Sequence, residues 1–136
     1  HEDVLTKEPI DARTVADSIS AELPRDRLKA MRAVTSSGGA FVTVSDEQIL
    51  AAMPEMARNS GVFGEPAGAA AWAGIRAAAE AGLVGPSDRV VALNTGSGLK
   101  DVASALRAAR TSGTEPKRIT PDLDAVARVV AELEQS

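Results

Sequence analysis

The chain has 136 residues, which is enough for one compact domain, and it carries a formal net charge of −4 and no cysteine. Disulfides, thiolate metal sites and cysteine nucleophiles are therefore excluded, and the single histidine, His1, excludes a histidine triad or a multi-histidine metal site within the chain. Scattered Lys and Arg residues argue against nucleic-acid binding, and no apolar run reaches membrane-spanning length. We therefore expect a cytoplasmic protein with no metal, no nucleic-acid partner and no membrane partner.

The first third of the chain predicts a lead-in, a helix and a strand. Residues 1–13 have mixed charge and no clear period, so an extended lead-in is expected. Apolar residues recur at helical spacing over 25–36, and Gly38 follows where that helix would end. The segment 40–44 is short, apolar and rich in β-branched residues, which predicts a buried strand.

Two helices are predicted in the middle of the chain. Ser45 and Gln48 have the spacing of a capping box, in which each side chain bonds a free backbone N–H, so a helix is expected to run to about Asn59. Pro66 is placed to open a second helix, which extends to about Ala81. This helix is apolar nearly all round, which is typical of a buried helix.

The last third predicts another strand and two more helices. Residues 89–94 form an apolar run, and helices are expected over 101–110 and from a Thr120 cap onward. The final helix has an apolar stripe made of Leu123, Val126, Ala127, Val130 and Leu133. Apolar strands separated by helices predict an α/β fold, here part of a three-layer domain with a mostly parallel sheet and helices on both faces.

The predicted sheet needs more covering than this chain supplies. Only two or three strands are visible, and parallel strands are buried on both faces. The first residue is also His1 rather than methionine. Together these features predict that the chain is part of a larger domain.

Residues 95–100, Thr-Gly-Ser-Gly-Leu-Lys, are the most suggestive segment for a ligand site. They follow a predicted strand end, where ligands bind in open α/β sheets, and glycines let a backbone approach a ligand closely. A tight turn is an equally open interpretation of this segment alone. The spacings of a P-loop and of a dinucleotide fingerprint are both absent.

Two charged residues have competing interpretations. Glu65 precedes a predicted helix, so its carboxylate either faces a ligand or, more commonly, interacts with the positive end of the helix. Lys100 lies beside the carboxylate of Asp101, which predicts a structural ion pair for Lys100. The segment 14–19 has no role that its own composition assigns.

Four segments taken in order resemble the fold-type II pyridoxal-phosphate enzymes, and among them the threonine synthases. They are Thr-Val-Ala-Asp-Ser-Ile at 14–19, Val-Ser-Asp-Glu-Gln-Ile at 44–49, Gly-Glu-Pro-Ala-Gly-Ala-Ala at 64–70 and Thr-Gly-Ser-Gly-Leu-Lys-Asp at 95–101. The resemblance implies a tryptophan synthase β-like fold and the cofactor pyridoxal 5′-phosphate. It also implies a lyase that converts O-phosphohomoserine and water to threonine and phosphate.

The resemblance assigns expected roles to several residues. Thr95 would bond the pyridine nitrogen of the cofactor, Gly96 and Ser97 would form the rim around the ring, and Gly64 and Glu65 would lie along its edge. Ala16 and Asp17 would stand on the substrate side. No catalytic residue is expected in this chain, because the lysine that forms the Schiff base and the phosphate-binding loop belong to the family's N-terminal region.

The resemblance therefore divides the chain into a lead-in (1–13), a family-like core (14–110) and a linker with a C-terminal helix (111–136). The chain alone is expected to be inactive, with the N-terminal remainder of the enzyme as its partner and a homodimer as the complete form. Two alternatives stay open: a segment of a threonine or serine dehydratase, and a non-catalytic stand-alone domain.

Overall fold

The computed structural model describes residues 2–113 and 116–134. Within them the chain forms six α-helices and two short 3₁₀ turns. The helices are α1 (Glu2–Leu5), α2 (Arg27–Ser37), α3 (Asp46–Ser60), α4 (Pro66–Glu80), α5 (Val102–Thr111) and α6 (Leu123–Leu133), and the turns are Asp17–Ile19 and Gly98–Lys100. Among the described residues, no helix has the combined length and apolar character needed to cross a membrane.

The predicted helices in the middle of the chain are confirmed together with their end signals. Ser45 Oγ accepts the N–H of Gln48 at 3.3 Å, and Gln48 Oε1 accepts the N–H of Ser45 at 2.8 Å, so the capping box of α3 is complete. Pro66 occupies the first turn of α4. Gly38 ends α2 at a φ of 68°, a left-handed conformation that favours glycine.

The core lies where α3, α4 and α5 pack together. Ile49, Leu50, Met53 and Met56 of α3 are buried against alanines of α4 and against Ala108 of α5. Small alanine side chains let the α4 backbone approach α3 closely, so a core with few aromatic rings still excludes water. This helical unit positions the candidate site, because residues 63–65 lead directly into α4 and residues 96–100 lead into α5.

The two predicted strands are not formed in the described part of the chain. Residues 40–44 and 89–94 have no strand pairing there, and Phe41 and Val91 are 63% and 82% exposed. A strand is stabilised by hydrogen bonds and side-chain packing from its neighbours, so an apolar run alone does not make one. The parallel sheet of the predicted α/β fold is therefore missing from residues 2–113 and 116–134.

Helix α6 differs from its prediction at its start and in its packing. Its N-cap is Asp122 rather than Thr120: Asp122 Oδ1 accepts the N–H of Ala125 at 2.8 Å, and Thr120 donates its hydroxyl to Asp122 Oδ2 at 2.5 Å. An aspartate carboxylate is as good a cap as a hydroxyl and also suits the helix dipole. The predicted apolar stripe is exposed, and only Ala125 of α6 is buried.

The N-terminal segment is partly helical and is tied to α3. The lead-in, expected to be extended, contains α1, and Thr14 Oγ1 donates to Asp46 Oδ1 at 2.5 Å. The backbone N–H of Val15 donates to the other oxygen of Asp46 at 3.1 Å. Predictions that involve residues 1, 114–115 and 135–136 lie outside the described residues.

Candidate functional site

Two segments that are distant in sequence pair at the start of α4. Gly64 and Ser97 form an isolated antiparallel bridge. The N–H of Glu65 donates to the carbonyl of Gly96 at 3.0 Å, and the N–H of Gly98 donates to the carbonyl of Phe63 at 2.9 Å. Four of the five residues predicted to surround the cofactor ring, Gly64, Glu65, Gly96 and Ser97, are therefore brought together by backbone hydrogen bonds.

The glycines of the 96–98 turn are required by close contacts rather than by an unusual backbone angle. A Cβ placed on Gly96 would lie 1.9 Å from Glu65 Oε1, and one on Gly98 would lie 2.4 Å from the ring of Phe63. Both distances are far shorter than real carbon contacts. The absence of side chains at these two positions lets the turn lie directly against residues 63–65.

Glu65 lies at the start of α4 and is buried, with 4% of its surface exposed. It occupies the N-cap position but makes no side-chain capping bond to the helix. Its partner is the ammonium group of Lys100, which donates to Oε1 at 2.9 Å. The predicted ion pair of Lys100 is thus present, but it joins Lys100 to Glu65 and not to Asp101.

Asp101 has a separate role as the N-cap of α5. Its Oδ1 accepts the N–H of Ser104 at 3.0 Å. Hydrogen bonds from the side chain and backbone of Ser104 hold the pKa of the Asp101 carboxyl below its ordinary value. The carboxylate is therefore committed to the helix start and is not directed to the candidate site.

Thr95 and Ser97 present their hydroxyls differently. Ser97 Oγ accepts the N–H of Leu99 at 3.3 Å and so caps the 3₁₀ turn that begins at Gly98. Thr95 is exposed, and its hydroxyl has no hydrogen-bond partner within residues 2–113 and 116–134. Ser97 therefore already uses one lone pair of its hydroxyl, whereas the donor and both lone pairs of the Thr95 hydroxyl are available to a ligand.

Asn94 is a neighbour of the site that sequence reasoning missed. A Cβ on Gly64 or Gly68 would lie 2.3 Å or 2.1 Å from Asn94 Oδ1, so the Asn94 amide rests directly on these two glycines. Gly64 and Gly68 are four residues apart and lie on the same side of the start of α4. Their spacing was visible in the sequence, but the residue that lies against them was not.

The two residues predicted for the substrate side are near α4 but differ in exposure. Ala16 is buried and belongs to the apolar core cluster, whereas Asp17 is exposed and begins a 3₁₀ turn that packs on α4. The hydroxyl of Ser18 donates to Asp17 Oδ1 at 3.3 Å. Contact of either side chain with a substrate stays a prediction.

An apolar groove of about 410 Å³ lies behind the site, between α3 and α5. Phe63 and Gly98 belong both to the site and to this groove, and Arg58 is its charged lining residue. Its apolar walls suit the packing of side chains better than the binding of a polar ligand. We therefore place the candidate site at the Thr95 side of the turn and not in the groove.

Comparison with known proteins identifies one family. Residues 2–96 match the sequence model of a family described as pyridoxal-phosphate dependent enzyme. The chain is 38% identical to a threonine synthase of Methanocaldococcus jannaschii over 120 residues, which cover 88% of this chain and 29% of that protein. It is 36% identical to a threonine synthase of Methanosarcina acetivorans, with 86% and 28% covered. It is 43% identical to a threonine synthase of Mycobacterium tuberculosis, with 74% and 28% covered. The chain thus spans less than a third of the length of these curated relatives.

Proposed function

Because the chain belongs to the pyridoxal-phosphate dependent enzyme family, we propose that it is the C-terminal part of a threonine synthase. The complete enzyme would convert O-phosphohomoserine and water to threonine and phosphate. This chain would supply the pyridine-ring side of the cofactor site, and the lysine that attaches the cofactor would lie in the N-terminal part. The chain alone would then be inactive, because a covalent anchor and a phosphate-binding loop are needed.

The single observation that carries the proposal is the pairing of 63–65 with 96–98. It leaves the exposed Thr95 at the edge of a turn whose two glycines, Gly96 and Gly98, let the turn lie directly against residues 63–65. The carboxylate of the paired segments, that of Glu65, is already bonded to Lys100. A neutral hydroxyl is therefore the available group for a pyridine nitrogen, and these residues fit the ring of pyridoxal phosphate.

Each predicted site residue has a positional task in this proposal. Thr95 bonds the pyridine nitrogen, and a hydroxyl does not force that nitrogen to stay protonated as a carboxylate would. Gly96 and Ser97 form the rim of the ring site, while Gly64 and Glu65 lie along its edge. When bound, the cofactor supplies an electron sink for carbanions of the substrate. Ala16 and Asp17 would lie toward the substrate.

The remainder of the polypeptide would complete both the fold and the site. The family's fold is α/β, and the exposed apolar segments 40–44 and 89–94 would become strands when neighbouring strands from the N-terminal part pair with them. We propose that the complete enzyme is a cytoplasmic homodimer. The relatives, of which this chain covers 28–29%, support a remainder that is longer than this chain.

The test is an assay of the complete polypeptide with O-phosphohomoserine, in which threonine and phosphate are both measured. Thr95→Ala is expected to lower kcat/KM by about tenfold or more, because one hydrogen bond to the cofactor is lost. Thr95→Ser keeps the hydroxyl and is expected to retain most activity. Thr35→Ala, at an exposed helical threonine whose hydroxyl donates to the carbonyl of Met31, is the matched control.

Three results would contradict parts of the proposal. Equal activity of Thr95→Ala and Thr35→Ala would remove Thr95 from the site. Release of a 2-oxo acid from threonine or serine, without threonine synthesis, would identify the dehydratase alternative. A complete polypeptide that binds no pyridoxal phosphate would favour a non-catalytic domain.

A further inference from the structure

Glu65 is the only buried charged residue in the described part of the chain, and this sets its ion pair apart. The side chain of Glu65 is 6% exposed and that of Lys100 is 60% exposed. The pair of Lys117 and Glu132 joins side chains that are 47% and 63% exposed. Exposed pairs contribute little to stability, whereas a buried carboxylate that loses its partner is strongly unfavourable.

The geometry connects this pair to the turn that carries Thr95. The Glu65 carboxylate lies directly over Gly96, where a Cβ would be 2.5 Å from its Cδ atom. Lys100 is the last residue of the 3₁₀ turn that follows Ser97, and it reaches back to Glu65 across 35 positions of sequence. The carboxylate is therefore held between the backbone of the turn and the ammonium group at its end.

We propose that Lys100 is a positioning residue of the cofactor site. Its ammonium group holds the Glu65 carboxylate against Gly96, and this contact keeps Thr95 in a fixed position relative to the start of α4. The consequence for the cofactor rests on the function proposed above, but the contact itself is a property of this chain. Loss of Lys100 leaves a buried charge unpaired, so the carboxylate moves toward water and the turn separates from residues 63–65.

Two variants of Lys100 and one control separate charge from packing. Lys100→Met keeps most of the aliphatic stem and removes the charge, while Lys100→Arg keeps the charge. Lys117→Met makes the same change in the exposed pair with Glu132. A double variant, Glu65→Gln with Lys100→Met, leaves no charge to be paired and serves if the single Lys100→Met variant does not fold.

The first measurement is amide hydrogen exchange of the full chain at Glu65 and Gly98, whose N–H groups bond the opposite segment. Lys100→Met is expected to exchange about tenfold faster at both amides, because the unpaired carboxylate opens the turn. Lys100→Arg is expected to stay near the unsubstituted rate, and the double variant, which has lost the contact but has no unpaired buried charge, is expected to exchange more slowly than Lys100→Met. If Lys100→Met exchanges no faster than Lys117→Met, the contact does not hold the turn and the inference is wrong.

The second measurement is the affinity and absorbance spectrum of pyridoxal phosphate in the complete polypeptide. Lys100→Met is expected to bind the cofactor about tenfold more weakly, with a shifted absorbance maximum, and Lys100→Arg to recover both. Faster exchange with an unchanged affinity and spectrum would show a structural role only and overturn the positioning role. If the unsubstituted polypeptide binds no cofactor, the proposed function fails, and the positioning role fails with it.

Discussion

Helix α3 of the helical unit and the C-terminal helix α6 both carry an apolar stripe, but their surroundings are very different. Met53 of α3 is 0% exposed, whereas Leu123 of α6 is 86% exposed. Helices α3, α4 and α5 supply each other's apolar partners within about 65 residues of chain. The difference shows that a periodic pattern predicts a helix from local sequence, but that burial depends on a partner which the pattern does not name.

The two predicted strands extend the same lesson. The apolar side chains of residues 40–44 and 89–94 are as suitable for burial as those of α3, yet all except Val44 are exposed in this chain. A helix satisfies its backbone hydrogen bonds internally, whereas a strand requires a neighbour for every bond. Segments that need hydrogen-bond partners from distant parts of the polypeptide therefore form no regular secondary structure within the described residues.

The largest expected effect breaks the helical unit at its centre. Met53→Ala removes a fully buried side chain and should lower the free energy of unfolding by about 2–5 kcal/mol through lost burial and a residual cavity. Leu123→Ala, at an exposed position of α6, should change it by less than about 0.5 kcal/mol. Urea denaturation of the chain, followed by circular dichroism, measures both.

The same two variants also test what covers α6. In the complete polypeptide, a large loss of stability from Leu123→Ala would show that another segment packs on α6. If Leu123→Ala lowered the free energy of unfolding of the isolated chain as much as Met53→Ala does, the contrast between the two regions would be contradicted.

A smaller effect is expected at the turn that joins the helical unit to the site. Gly96→Ala places a Cβ 1.9 Å from Glu65 Oε1 and should cost about 1–3 kcal/mol, because the buried carboxylate must move. Gly74→Ala is the control within α4, where nothing lies within 4 Å of the added Cβ. It should instead stabilise the chain by about 0.5–1 kcal/mol through its better helix propensity.

Thermal unfolding of the two variants shows whether Gly96 is required by its close contact with Glu65 or only by the freedom of its backbone. If both variants were stabilised, the contact between Gly96 and Glu65 would not restrict the site. If both were destabilised, α4 would be more tightly packed at Gly74 than its surroundings indicate.

Much of the helical structure could be predicted from the sequence, because its signals are local. The spacing of Ser45 and Gln48 predicted the start of α3, and Pro66 marked the start of α4. The N-cap of α6 lies two residues after the predicted Thr120, because Thr120 and Asp122 are both good caps and the sequence does not show which side chain meets the free N–H groups.

The sequence singles out the segments that pair at the start of α4 but not the contacts between them, and their role at a cofactor stays a prediction. The family resemblance assigned roles to Gly64, Glu65, Gly96 and Ser97, and the fold pairs their segments. The ion pair between Glu65 and Lys100 was not predictable, because the two residues are 35 positions apart in the sequence. The adjacent carboxylate of Asp101 was the nearer candidate partner for Lys100. Long-range pairing of this kind depends on how α4 and the turn meet, which no local pattern encodes.

The smallest expected effect concerns acid and compares the starts of α3 and α6. A hydrogen bond from the Thr120 hydroxyl and another from the backbone of Ala125 hold the pKa of the Asp122 carboxyl below its ordinary value of 3.8. Because the folded pKa is the lower one, this cap stabilises α6 above pH 3.8, and its contribution is lost as the pH falls through that value to the folded pKa. The cap of α3, the hydroxyl of Ser45, does not titrate in this range.

Acidification from pH 6 to pH 2 should therefore loosen the start of α6 before that of α3, which per-residue NMR chemical shifts would follow. Asp122→Asn keeps a side-chain oxygen for the N–H of Ala125 but carries no titrating group, so its α6 should respond less to acid. Glu132, whose pKa is lowered by its bond to Lys117, remains in this variant and accounts for the residual response. An unchanged acid response in Asp122→Asn would mean that the carboxylate does not control the start of α6, and the exposed helix would then depend on Glu132 and Lys117 instead.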